Sequence, residues 1–144
     1  MNEPMTKVCI VGYGNIGKAV LDTVRASNDM FLCGVIRRNG SSNCPAELSG
    51  VEVVENVRQL SQVPDVAILC TPSRSIPNVA PDYLSLGIHT VDSYDIHTSI
   101  YDVKCKLDTV AREHGAAAIL AAGWDPGSDS VVRALMQSCA PEGV

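Results

Sequence analysis

A glycine-rich segment near the start of the chain has the spacing of a phosphate-binding turn. The segment from Val11 to Gly17 reads V-G-Y-G-N-I-G and lies between an apolar run and a helical pattern. In such a turn the first glycine permits a sharp change of direction, the second lets a pyrophosphate approach the backbone, and the third lets the helix pack on the strand. The free N–H groups of the helix N-terminus attract phosphate oxygens. The segment predicts a dinucleotide site; the alternative is a turn without a ligand.

Two arginines stand at the position that distinguishes one dinucleotide from another. A site for NAD usually carries Asp or Glu about 20 residues after the glycine turn, where it binds the 2′-hydroxyl of the adenosine ribose. Here that position holds Arg37 and Arg38. A carboxylate would repel a 2′-phosphate, whereas guanidinium groups attract it and donate paired hydrogen bonds. The pair predicts NADP(H); the alternative is two solvated surface charges.

Polar side chains also follow the later strands of the predicted sheet. The loop Thr71-Pro72-Ser73-Arg74 follows one strand, Asp92 ends the next, and Trp124 with Asp125 follows the last. Ligands in open α/β sheets bind outside the carboxyl ends of the strands, so we expect these residues near the nicotinamide. Two carboxylates and an indole there suit a cationic substrate, such as the ammonium group of an amino acid. A structural role is equally open, with Asp92 capping a helix and Asp125 fixing the Pro-Gly turn that follows it.

A regular alternation of strands and helices must position these residues. Apolar runs predict buried strands, and apolar residues three and four apart predict amphipathic helices. We expect strands over 8–11, 31–36, 51–54, 65–70, 88–92 and 116–121, helices over 16–24, 76–84, 100–110 and 131–139, a polar loop over 39–50, and one or two helical turns over 55–62. This order predicts an α/β fold, a Rossmann-type doubly wound parallel sheet with helices on both faces.

Length and composition exclude several classes of protein. The chain has 144 residues, the size of one domain, and 46% of them are hydrophobic, so a disordered tail is excluded. No apolar run is long enough to span a membrane. The net charge of −5 and the 4% of aromatic residues argue against nucleic acid as a partner.

The cysteines and histidines predict neither disulfides nor a metal site. Cys9, Cys33 and Cys70 lie in apolar strand-like runs, and Cys105 and Cys139 lie in helical patterns, so we expect reduced core cysteines. None of the three histidines has metal-ligand spacing with a cysteine or another histidine. The first residues lack the apolar stretch of a secretory signal, and we expect a cytoplasmic protein.

Four segments together resemble the meso-diaminopimelate D-dehydrogenases, over nearly the whole chain. They are the glycine turn, Arg37-Arg38, the stretch Val91 to His97 (V-D-S-Y-D-I-H) and the stretch Gly123 to Gly127 (G-W-D-P-G). The glycine turn is common to many proteins, whereas the last two segments are far more specific. The resemblance implies NADP-dependent oxidative deamination of meso-2,6-diaminopimelate at its D-centre, giving L-2-amino-6-oxopimelate and ammonia. The reverse reaction serves lysine and cell-wall precursor synthesis.

The resemblance also implies roles for individual residues. They fall into groups that hold the pyrophosphate, take the 2′-phosphate, line the nicotinamide side and contact the D-amino acid end of the substrate. The resemblance assigns the pyrophosphate to Gly12, Gly14, Asn15, Ile16 and Gly17, and the 2′-phosphate to Arg37 and Arg38. It assigns the nicotinamide side to Thr71, Pro72 and Ser73, and the D-amino acid end of the substrate to Asp92, Trp124 and Asp125.

The chain departs from the family in one respect. Family members continue into a second domain that completes the substrate pocket and the homodimer interface. We therefore interpret residues 1–144 as a dinucleotide-binding domain in which 126–144 form a helix leading toward a missing substrate and dimerisation domain. We expect this chain to be inactive alone and its last helix to expose an apolar face.

Two alternatives stay open at this stage. One is another NADP enzyme with the same first domain, of the dihydrodipicolinate reductase or glucose–fructose oxidoreductase type, although such proteins lack the Asp92 and Trp124-Asp125 segments as a set. The other is a stand-alone NADP(H)-binding module that senses redox state or regulates a partner.

Overall fold

A computed structural model describes residues 4–123 and 128–142, with side chains from 131 onward in the second range. The strands are β1 (Thr6–Val11), β2 (Met30–Ile36), β3 (Val53–Val54), β4 (Val66–Leu69), β5 (His89–Asp92) and β6 (Ala118–Ile119). The helices are α1 (Asn15–Ala26), α2 (Ile76–Leu84), α3 (Ile100–Glu113) and α4 (Ser128–Cys139).

The six strands form one parallel sheet in the order β3-β2-β1-β4-β5-β6. The order runs in one direction from β1 to β3 and in the other from β4 to β6, so the chain reverses direction between β1 and β4. A crevice opens at such a reversal because the connections on either side leave to opposite faces of the sheet. The predicted Rossmann-type doubly wound fold is confirmed.

Alternating side chains of β1 divide the core into two layers. Ile10 packs with Leu21 of α1 on one face of the sheet. Cys9 packs on the other face in a larger cluster that includes Leu84 of α2 and Leu107 of α3. Since successive side chains of a strand point to opposite faces, helices cover both sides of the sheet, as predicted.

The two edge strands are shorter than the apolar runs predicted. β6 is confined to two residues rather than 116–121, because beyond it the N–H groups of Ala121 and Ala122 bind Asp92 instead of continuing the ladder, at 3.2 and 2.7 Å. Ala121 itself takes a left-handed conformation with φ of 62°. β3 is likewise confined to two residues rather than 51–54, as an edge strand paired only with the end of β2.

Two prolines lie in α2 without ending it. Pro77 lies in the first turn, where no N–H donor is required. Pro81 lies inside the helix and has no N–H to donate to the carbonyl of Pro77 four residues earlier. The ammonium group of Lys106 on α3 donates to that carbonyl instead, at 2.6 Å. The lost helical hydrogen bond is thus replaced by a contact between two helices.

The six cysteines are free thiols, but only part of the set lies in the core. Cys9 and Cys33 are buried, and burial raises the pKa of Cys9 to about 12. Cys44, Cys105 and Cys139 are exposed, so the prediction of core cysteines is wrong for Cys105 and Cys139. A helical pattern places a residue on a helix but does not decide which face carries it.

The apolar side chains of α4 are exposed, as expected. Val131, Val132, Leu135 and Met136 keep 50–68% of their surface accessible. None of the helices in the described part of the chain is long and apolar enough to cross a membrane.

Truncation of a core leucine should destabilise the fold far more than truncation of an exposed one. Leu107 is 1% exposed, and Leu107→Ala should lower the free energy of unfolding by about 2–5 kcal/mol, because it removes buried methyl groups and leaves a cavity. Leu135 is 63% exposed, and Leu135→Ala should change it by less than about 0.5 kcal/mol. Urea denaturation measures both, and equal losses would contradict the described packing.

Candidate cofactor-binding site and adjoining carboxylate

A cleft of about 1230 Å³ opens at the carboxyl ends of the strands, beside the reversal between β1 and β4. Its lining comes from the turn after β1, the ends of β2 and β3, the turn after β4, and α2. It includes Gly12, Gly14, Asn15, Ile16, Arg37, Arg38, Asn56, Arg58, Thr71, Pro72 and Asp82. The structure thus brings together all the predicted cofactor residues except Gly17 and Ser73, which lie outside this lining.

Gly12 and Gly17 allow a contact between backbones that no other residue would permit. Gly12 has φ of +92°, and a Cβ on it would lie 2.7 Å from the carbonyl oxygen of Cys70. A Cβ on Gly17 would lie 2.3 Å from the carbonyl oxygen of Gly12. Both distances are far below van der Waals contact. Gly17 therefore acts through packing of α1 on the turn, the role that the spacing predicts for the third glycine.

The start of α1 fits a pyrophosphate group. Gly14 is the N-cap residue and offers no side-chain acceptor to the first N–H groups of the helix. The first turn carries no acidic residue, and a Cβ at Gly14 would meet nothing within 4 Å. Free N–H donors, the positive end of the helix dipole and open space therefore coincide at this point.

The arginine segment is held in place by the loop that follows it. The N–H of Arg37 donates to the carbonyl of Val54 on β3 at 2.9 Å, and its Nη1 donates to the carbonyl of Asn43 at 3.3 Å. Arg38 is exposed at the cleft. Both arginines thus line the cleft at the end of β2.

The loop between β2 and β3 is fastened to α1, although it contains no crossover helix. The carboxylate of Glu47 lies 3.0 Å from the ammonium of Lys18, and the backbone carbonyl of Glu47 accepts from Arg25 at 2.8 Å. The neighbouring Leu48 is buried in the core layer of Ile10. One face of α1 therefore fixes the loop that begins at the arginine pair.

Thr71 and Pro72 line the cleft at the end of β4. The Thr71 hydroxyl is buried and has no hydrogen-bond partner among the described residues. Burial raises the pKa of the neighbouring Cys70 thiol to about 11, which keeps it neutral. Ser73 begins the short 3₁₀ turn ahead of α2.

Asp92 at the end of β5 combines a structural contact with a free acceptor. Only 3% of its surface is exposed. Its Oδ1 accepts from the N–H groups of Tyr94 and Ala121 at 2.9 and 3.2 Å, whereas its buried Oδ2 has no partner in the described part of the chain. Burial raises the pKa of Asp92, and the two N–H bonds oppose that rise.

The segment that follows β6 runs alongside Asp92. A Cβ on Gly123 would lie 3.5 Å from the Cβ of Ser93, and the N–H of Ala122 donates to the carbonyl of Asp92. The predicted site residues Trp124 and Asp125 come directly after Gly123 but lie outside the described residues. Helix capping by Asp92 is not what is observed, since its side chain binds the N–H groups of residues 94 and 121.

Sequence reasoning predicted a helical turn after β3 but did not assign any of its residues to the site. Asn56 and Arg58 line the cleft from a 3₁₀ turn, Val57–Gln59, in a stretch that the sequence identified only as one or two helical turns. A signal was present: Asn56 and Gln59 have the spacing of a capping box, which marks the start of a helical turn.

Proteins of known activity and structure are similar to this chain. It is 51% identical over 138 residues to the meso-diaminopimelate D-dehydrogenase of Bacteroides fragilis. The aligned region covers 96% of this chain and 46% of that enzyme. The diaminopimelate dehydrogenase of C. glutamicum, solved in complex with diaminopimelate, has a TM-score of 0.74 at 30% identity, covering 95% of this chain and 42% of that one.

An engineered D-amino acid dehydrogenase bound to NADP+ has a TM-score of 0.76 at 30% identity, covering 94% of this chain and 41% of that one. The chain spans less than half the length of these relatives. The predicted resemblance to the diaminopimelate dehydrogenases is therefore confirmed for this part of their length.

A family model described as "Oxidoreductase family, NAD-binding Rossmann fold" matches residues 6–121. That range contains all six strands and the whole cleft lining given above. The strand order and the glycine turn at the reversal agree with this match. The chain therefore belongs to the oxidoreductase family with the NAD-binding Rossmann fold.

Proposed function

We propose that this chain is the cofactor-binding part of an NADP-dependent dehydrogenase that oxidatively deaminates meso-2,6-diaminopimelate at its D-centre. The observation that carries the proposal is the 51% identity to the Bacteroides fragilis enzyme across 96% of this chain. The chain covers 46% of that enzyme, so the proposal assigns it the cofactor-binding role and not the whole activity.

The arginine pair supports NADP as the cofactor. Arg37 and Arg38 line the cleft at the end of β2, the position at which a carboxylate would select NAD. A 2′-phosphate carries negative charge that guanidinium groups bind with paired, charge-assisted hydrogen bonds. The structurally similar D-amino acid dehydrogenase is itself bound to NADP+.

Asp92 supports a substrate with an ammonium group. A buried carboxylate with one free oxygen is costly, and a cation placed against that oxygen would supply the missing partner. An ammonium at this position would lower the pKa of Asp92 again and keep it ionised. Trp124 and Asp125, from the specific G-W-D-P-G segment, complete the proposed contacts to the D-amino acid end.

The proposed residues bind and orient the substrate. When bound, NADP+ accepts a hydride at nicotinamide C4. Asp92 and Asp125 would hold the amino group so that the hydrogen on the D-centre carbon points toward that acceptor. Loss of the hydride and of a proton from nitrogen leaves an imine on the substrate, and water hydrolyses it to the ketone and ammonia. Thr71, Pro72 and Ser73 would line the nicotinamide side of the site.

The cofactor prediction is tested by titrating the 144-residue chain with NADPH and with NADH, following nicotinamide fluorescence. NADPH should bind at least about ten-fold more tightly, because each charge-assisted hydrogen bond to the 2′-phosphate contributes about 1.5–3 kcal/mol. Arg37→Gln with Arg38→Gln should reduce the preference while leaving NADH binding within about two-fold. Equal affinities for both dinucleotides in the unmodified chain would contradict the assignment of NADP.

The substrate prediction is tested in a chimera in which this chain replaces the aligned segment of the Bacteroides fragilis enzyme. The chimera should reduce NADP+ when meso-2,6-diaminopimelate is added. Asp92→Asn should lower kcat/KM by about 100-fold, because an amide keeps the Oδ1 acceptor but loses the charge that binds ammonium. Asp102→Asn, the same change at an exposed site on α3, is the matched control. An unaltered kcat/KM for Asp92→Asn would contradict the role of Asp92.

The raised pKa of Asp92 also predicts how stability depends on pH. In the unfolded chain the carboxyl has its ordinary pKa of 3.8, whereas in the folded chain its pKa is higher. Between these two pKa values the folded chain keeps a proton on Asp92 that the unfolded chain has lost. Across this window the contribution of Asp92 to the free energy of unfolding falls as pH rises.

The variant Asp92→Asn removes that titration. Urea denaturation at several pH values should show the difference in unfolding free energy, variant minus unmodified chain, increasing as pH rises through the same window. A difference that stays constant, or that decreases, would show that burial of the charged carboxylate is not costly.

A further inference from the structure

A third arginine lines the cleft together with the predicted 2′-phosphate ligands. Arg58 lies on the turn after β3, whereas Arg37 and Arg38 lie at the end of β2. The N–H of Arg37 donates to the carbonyl of Val54 at 2.9 Å, so the ends of these two strands are joined directly. Arg58 therefore extends the same cationic edge from a separate element of the fold.

The backbone of this turn is held firmly. The side chain of Asn56 accepts from the N–H of Arg58 at 3.0 Å, and Oε1 of Gln59 accepts from the N–H groups of Asn56 and Glu55 at 2.9 and 3.1 Å. Leu60, the next residue, is buried in the core. Two side chains thus satisfy the backbone of the turn, and the position of the Arg58 Cα is fixed relative to the sheet.

The guanidinium of Arg58, by contrast, is exposed and not engaged. Within residues 4–123 and 128–142 no carboxylate forms an ion pair with it. No other side chain on this turn competes for it, since Asn56 and Gln59 are used by the backbone. A long cationic side chain on a rigid turn, facing a cleft, is suited to a charged ligand rather than to the fold.

The charge of the cleft lining is opposite to that of the whole chain. The charged side chains of the lining are three arginines and two carboxylates, Glu55 and Asp82, in a chain of net charge −5. All three arginines come from the ends of β2 and β3, whereas Asp82 belongs to α2. The side chain of Glu55 packs over Gly40: a Cβ on Gly40 would lie 3.1 Å from the Cγ of Glu55. The positive charge is thus concentrated at the edge that would face the adenosine ribose.

We propose that Arg58 is a third recognition residue for the 2′-phosphate, so that the preference for NADP(H) depends on β3 as well as on β2. The inference rests on the proposed function, since it requires a 2′-phosphorylated ligand. Arg37 is partly used by its contact with the carbonyl of Asn43, and a phosphate dianion has more acceptor sites than the pair at the end of β2 alone satisfies.

The test isolates the adenosine end by using 2′,5′-ADP and 5′-ADP as probes, titrated by calorimetry into the 144-residue chain. Arg58→Gln should weaken 2′,5′-ADP binding by about ten-fold and change 5′-ADP binding by less than about two-fold. Arg58→Lys, which keeps the charge but loses the planar pair of donors, should give an intermediate loss.

Lys104→Gln is the matched control, because it removes one positive charge from an exposed site on α3, away from the cleft. It should leave the affinities for both probes within about two-fold. A loss as large as that of Arg58→Gln would mean that net charge alone is responsible, which overturns the proposal. Circular dichroism establishes that each variant is folded before titration.

The outcomes separate this inference from the proposed function. If the unmodified chain prefers 2′,5′-ADP and Arg37→Gln reduces that preference while Arg58→Gln does not, the role of Arg58 is refuted and the assignment of NADP stands. Equal weakening of both probes by Arg58→Gln would indicate contact with the adenine instead, and also overturns the proposal. If the unmodified chain does not discriminate between the probes, both the cofactor assignment and the role of Arg58 fail.

Discussion

Three stretches of backbone meet at Gly12, and the rest of the site depends on how closely they approach. The N–H of Gly12 donates to the carbonyl of Ile36 on β2, and the N–H of Cys70 donates to the carbonyl of Val11, each within 2.8 Å. The α-carbon of Gly17 lies against the carbonyl of Gly12. The contacts that join β1 to its two neighbours also set the direction of α1. They therefore determine where the free N–H groups at the start of α1 point. A larger residue at either glycine would move the helix away from the sheet and alter the cleft.

The sequence was sufficient for the parts of the fold that follow from one residue type at one spacing. Apolar runs predicted the strands, and their alternation with helices around the glycine turn predicted a doubly wound sheet, whereas the strand order came only from the structure. The end of β6 was not predictable, since Ala116 to Ala121 is apolar throughout and only the side chain of Asp92 diverts its backbone. Arg58 was missed because a single arginine on a short turn carries no motif, and only the strand order shows that this turn lies beside the end of β2.

The two ends of the candidate site obtain their affinity for charge in opposite ways. At the ends of β2 and β3, the exposed side chains of Arg38 and Arg58 remain hydrated, so they attract an anion at long range but are screened by salt. At the end of β5 and outside the cleft lining, Asp92 is buried, and its Oδ2 has no partner among residues 4–123 and 128–142, so its charge acts at short range and in a medium of low polarity. The first arrangement favours capture of an anion by a chain whose net charge would repel it. The second arrangement favours a cation whose charged group lies directly against the carboxylate over one whose charged group lies farther away.

The proline in the middle of α2 couples two positions that are 25 residues apart in the sequence. Because Pro81 lacks an N–H, the carbonyl of Pro77 depends on the ammonium of Lys106 for its hydrogen bond. Any other residue at position 81 would supply the helical donor and release Lys106 from this task. Proline at 81 and lysine at 106 should therefore be inherited together during divergence of these proteins, and a change at one position should relax selection on the other.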